Sequence, residues 1–113
     1  MPMMFGFSAQ RRQMLGDELM RVAEELPVYG SLRMYVVGDF ARHEVRVDTS
    51  LELLIVHPTD EPYRRRADFF VDHLRPRLDI RFHVYTPEEF QQLADEDPLL
   101  IDAIALGEPV FGE

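Results

Sequence analysis

The chain has 113 residues and no cysteine, so disulfides and thiolate metal sites are excluded. Twelve basic against 21 acidic residues give a net charge of −9, which argues against broad nucleic-acid binding, because phosphate contact needs a basic face. No uninterrupted apolar run is longer than Leu53 to Val56, far short of the roughly 20 residues that span a bilayer.

In the opening "MPMMFGFSAQRR", arginine follows a short apolar patch, the reverse of a signal peptide's order. These features read as a soluble, cytoplasmic protein, and the length reads as one domain over residues 1–113 with a modest core. All 12 basic residues are Arg and none is Lys, which reads as compositional bias.

Ser8 is a good N-cap, and Leu15, Leu19, Val22 and Leu26 then recur at helical spacing, predicting a helix over 9–26. Pro27 ends it and Gly30-Ser31 marks a turn. A short strand follows over 33–37 and breaks at Gly38; residues 40–44 read as one helical turn. The next strand, 50–56, is nearly all apolar and therefore central.

His57-Pro58-Thr59-Asp60 closes that strand, and Ala67, Phe70, Val71 and Leu74 make a helical stripe within 61–74, stopped by Pro76. Residues 79–85 alternate: Ile80, Phe82 and Val84 face one way, and Asp79, Arg81, His83 and Tyr85 the other. "TPEE" supplies Thr86 as cap, Pro87 at the first helical position and Glu89 to complete a capping box. Asp97-Pro98 repeats the cap-then-proline signal, Gly107 ends the last helix, and "PVFG" at 109–112 reads as a short edge strand. The sum is an α/β (α+β) layer domain: a small mixed sheet of three to four strands with helices over one face.

The order of residues from Tyr35 to Val56, "YVVGDFARHEVRVDTSLELLIV", resembles the minimal nucleotidyltransferase domains of the DNA polymerase beta-like superfamily. That family's signature is a strand, Gly-Ser, roughly Ala-Arg-Gly, a loop, and Ser-Asp-x-Asp opening a second strand. Gly38, Ala41, Arg42 and Glu44 match it, and Asp48, Thr49, Leu51, Leu53, Leu54 and Val56 fit around the paired acids. The closing "YTPEEF" and "DPLLIDAIALGEPVF" resemble the family's last helices and strand, so the likeness spans roughly residues 10–112.

The resemblance implies nucleotidyl transfer from ATP with Mg²⁺. Such chemistry clamps attacking and leaving oxygens between two divalent ions. Magnesium takes hard oxygen ligands, so carboxylates must converge, and acids at i and i+2 of one strand share a face. A glycine corner lets the backbone approach phosphate closely.

The departures fall on those positions. Asp39 stands where the family has serine, Ser50 where it has the first acid, Glu52 where it has the second, and His43 where it has glycine. The third acid falls on Arg81, with Asp79 two residues earlier on the same face.

Two readings stay open. In one, Glu52 and Asp79, with Asp39 or Asp48, hold metal, and Gly38, Asp39, Arg42, Ser50 and Arg81 line the nucleotide. In the other, the fold outlives catalysis and Arg81 pairs with Glu52 or Asp79. His43, His57, His73 and His83 do not cluster at metal spacing and read as surface or loop residues. Met14, Met20 and Met34 read as packing residues.

The resemblance also implies a context: such domains are often paired with a small helical partner in toxin–antitoxin systems. The expected role is therefore an antitoxin-like protein that binds such a partner or self-associates, the alternative being an active transferase that adenylylates it. The "YRRRADFF" patch, Arg64 to Arg66, reads as a solvated face or as docking for an acidic partner, and Phe5 and Phe7 as further interface residues.

Overall fold

The computed structural model describes residues 2–112, with side chains from Phe7 onward. Helix α1 runs Pro2–Glu25, followed by a 3₁₀ turn, Leu26–Tyr29. Strand β1 is Arg33–Val37, α2 Gly38–Ala41, β2 Leu51–Val56, α3 Tyr63–Leu74, β3 Ile80–Tyr85, α4 Pro87–Leu93 and α5 Pro98–Leu106. The strand order is β1-β2-β3, with β1 antiparallel and β3 parallel to the central β2. The expected mixed α/β layer is therefore the fold. "PVFG" contributes one bridge, Phe111 to Met34, on the outer edge of β1.

The first helix begins seven residues before the expected start at residue 9, and Ser8 lies inside it. Gly6 is the one weak helix former between Pro2 and Ser8 and costs only about 1 kcal/mol inside a helix, and a proline is tolerated at the first turn. Its stripe is as expected: Leu15 and Val22 are buried, with Leu19 packed beside them. Met34 is buried too, but Met14 and Met20 are 42% and 59% exposed, because they fall outside that stripe.

Alternation along the strands builds two cores rather than one. Leu51, Leu53, Ile55 and Val84 pack with Leu15, Val22, Leu26, Phe70 and Leu74, so α1 and α3 cover one face. Tyr35, Val37, Leu54, Val56 and Tyr85 pack with Leu100 and Ala103 of α5 and with Phe90 of α4 on the other. The expectation of a single covered face is corrected: two short helices cover part of the second. Both carry the expected caps, a complete Thr86–Glu89 capping box and an Asp97 Oδ1 that accepts from the Leu99 amide at 2.9 Å.

Arg66 corrects the reading of "YRRRADFF" as a surface patch. It is only 8% exposed, and Val71, expected in the buried stripe, is 48% exposed. The Arg66 guanidinium donates to both Glu89 carboxylate oxygens at 2.6 and 3.0 Å, to the Val84 carbonyl at 3.0 Å and to the Glu61 carbonyl at 2.8 Å. One side chain thus joins α3, β3 and α4. Its cation holds Glu89 below the usual carboxylate range. Arg64 and Arg65 remain exposed.

Candidate functional site

The register sets Val37, Glu52 and Arg81 abreast across the sheet, on the face that α4 and α5 cover only in part. At that end the strands turn polar. A cleft of about 250 Å³ opens there, lined by Asp39, Arg46, Asp48, Thr49, Ser50, Glu52 and Arg81.

The corner above it is built by glycine. Gly38 has φ +78°, a left-handed conformation that L side chains rarely adopt, and a Cβ there would overlap the Glu52 carboxylate. After the single turn of α2, His43 takes φ 63°, so this position asks for glycine on conformational grounds and carries histidine. The loop then tightens: Thr49 Oγ1 accepts from the Arg46 amide at 2.7 Å, and the Thr49 carbonyl accepts from Arg11 Nε at 2.9 Å. Thr49 is thereby buried, and Ser50 enters β2 from a fixed point.

Two of the acids expected as ligands, Asp79 and Glu52, are engaged within the chain. Ser50 Oγ donates to Asp79 Oδ2 at 2.6 Å. Glu52 Oε1 lies 3.2 Å from His83 Nε2. Asp39, Asp48, Ser50, Glu52 and Arg81 do share one cleft, and Asp79 reaches it through Ser50. Arg42 does not line it. Its guanidinium pairs with Asp102 of α5, which removes it from the phosphate-facing role that the resemblance implied.

Arg81 makes no ion pair among the described residues, so the expected Arg81–Glu52 or Arg81–Asp79 bridge is not formed. His83 took its place beside Glu52. The alternation puts His83 on the same face as Arg81, but the register sets Arg81 abreast of Glu52 and His83 diagonal to it, so the direction of the side chains decides the contact. Arg46 was also missed, because a loop arginine carries no periodicity.

The donor set does not match a two-metal clamp. Ser50 is a neutral hydroxyl committed to Asp79, and Arg81 puts a cation where a third acid would be needed. Among the described residues, no group of three or more His, Asp or Glu side chains is placed to hold a metal ion. What the cleft offers is mixed charge: three carboxylates and two guanidiniums around hydroxyls.

No described helix is long and apolar enough to cross a membrane. No family model, curated protein or solved structure matches the chain.

Proposed function

We propose that this chain is a nucleotidyltransferase-like protein with a catalytically weak or inactive site, acting in the cytoplasm through a protein partner in an antitoxin-like role. The observation that carries the reading is the internal engagement of the would-be ligands: Asp79 by Ser50 and Glu52 by His83, with Arg81 beside them. Two divalent ions on a triphosphate are held by convergent carboxylate ligands, and although Asp39, Asp48 and Glu52 line the cleft, no three such groups among the described residues are placed to share an ion. Asp39 adds a negative charge on the side where phosphate would lie. Each lost charge-assisted contact costs on the order of 2 kcal/mol, so two losses lower affinity by orders of magnitude.

The test is calorimetry of the protein with ATP, with Mg²⁺, and with both together. Weak or absent heat, and no transfer of labelled nucleotide to protein, is the expected result. Transfer that falls sharply in Glu52→Ala would overturn this reading and establish the alternative, an active transferase with a rearranged Mg²⁺–ATP site.

A further inference from the structure

Helix α5, "PLLIDAIAL", is apolar on nearly every side, its one charged residue being Asp102. Leu100 and Ala103 are buried against the sheet, and Asp102 is tied to Arg42, the residue after α2. Ile101 and Ile104, each 45% exposed, form with exposed Ala105 one contiguous outer flank of the helix, and Leu106, 39% exposed, lies on the other flank. A globular helix normally pairs one apolar stripe with a polar outer face, and one that is apolar all round is normally buried on all sides. The charge that a solvated helix would carry along its length stands instead at its two ends. Asp95 and Glu96 precede α5 and Glu108 follows it, all three exposed.

We propose that the outer face of α5 is the surface on which a protein partner docks, and that the partner brings an apolar stripe rimmed by basic side chains. This rests on the protein-binding reading given above and names the chemistry of that partner. Apolar contact with Ile101, Ile104 and Ala105 supplies the burial, and the acids at both ends select a basic rim. A second copy of this chain fits less well. Each copy carries a net charge of −9, and a symmetric contact would bring the same end acids close to one another.

The probe is a synthetic 18-residue amphipathic helix of leucine and lysine, read by calorimetry, with a leucine–glutamate peptide of the same pattern as control. The test variant is Ile101→Ser with Ile104→Ser, which removes apolar contact and leaves net charge unchanged. Val28→Ser, at a site 81% exposed and outside α5, is the control variant.

The leucine–lysine peptide should bind the protein and the control variant alike, and at least tenfold more weakly to the double variant; the glutamate peptide should not bind. Circular dichroism of each variant reports that the fold is kept. Equal binding by the double variant, or by the glutamate peptide, overturns the proposal. So does a dimer in sedimentation that the double variant dissociates, since a second copy then covers the face. Nucleotide calorimetry reads the cleft and this experiment reads α5, so either reading can fail without the other.

Discussion

Gly38 and Glu52 are steric partners: the carboxylate of Glu52 occupies the space in which any side chain at position 38 would begin. The corner between β1 and α2 and the central acid of the cleft are thus one feature. Gly38→Ala should destabilise the protein by about 2 kcal/mol or more, from left-handed strain together with displacement of Glu52. Shortening the acid in Gly38→Ala/Glu52→Ala should recover the steric part and leave the backbone part. Urea denaturation of the two single variants and the double variant measures that coupling, and strict additivity would show that the overlap is relieved at no cost.

Arg66 should be the costliest of the three arginines in its run. Arg66→Ala removes a two-pronged pair with Glu89 and two carbonyl contacts, and should lose about 2 to 3 kcal/mol, the lower end for a buried pair because Glu89 can regain water. Arg66→Lys cannot reproduce the fork and should recover only part. Arg64→Ala and Arg65→Ala, both exposed, should change stability by no more than about 0.5 kcal/mol. Thermal unfolding of the four variants tests the ranking.

Stability should fall in two stages as pH drops. Burial holds the His57 ring, which lies against Phe69 and Phe70, below its ordinary 6.5. The unfolded chain therefore takes up that proton first, and stability declines as pH falls from 6.5 through the lower folded value. Glu18 and Glu89 are held below the ordinary 4.5 by the guanidiniums of Arg21 and Arg66. Their contribution is complete above 4.5 and is lost as pH falls through their depressed folded values. Urea midpoints between pH 8 and pH 3 should show both stages, and His57→Phe should flatten only the upper one.

Ser50→Asp is informative alone. It replaces the donor to Asp79 with a second carboxylate, so two like charges would face each other across a contact now 2.6 Å long. The variant should be less stable than the parent at pH 7 and should regain stability at lower pH or on adding Mg²⁺. Combined with Asp39→Ser and Arg81→Asp, it should raise affinity for Mg²⁺–ATP. A thermal shift that ignores both pH and Mg²⁺ would show that residues 50 and 79 are not held together.

Much of the chain's local structure was legible before any coordinates. Strand β1 ends where Gly38 breaks it, the capping box at Thr86 starts α4, and alternation over 79–85 separates Phe82 and Val84 from Arg81 and His83. These are properties of neighbouring residues: backbone freedom, a cap's reach, a period of two. The gathering of Asp39, Asp48, Ser50, Glu52 and Arg81 at one end of the sheet was implied by the family resemblance; strand period alone put Ser50 with Glu52 and Asp79 with Arg81.

Tertiary structure decided which of those side chains face one another. That Glu52 meets His83 and not Arg81, that Arg42 leaves the cleft for Asp102, and that Arg66 is buried beside Glu89 all depend on register and helix placement between segments 23 to 60 residues apart. Periodicity assigns a residue to a face but not to a partner. Helix α5 shows the same limit: its composition says that it must be covered, and only its seat on Leu100 and Ala103 reveals which side the fold leaves open.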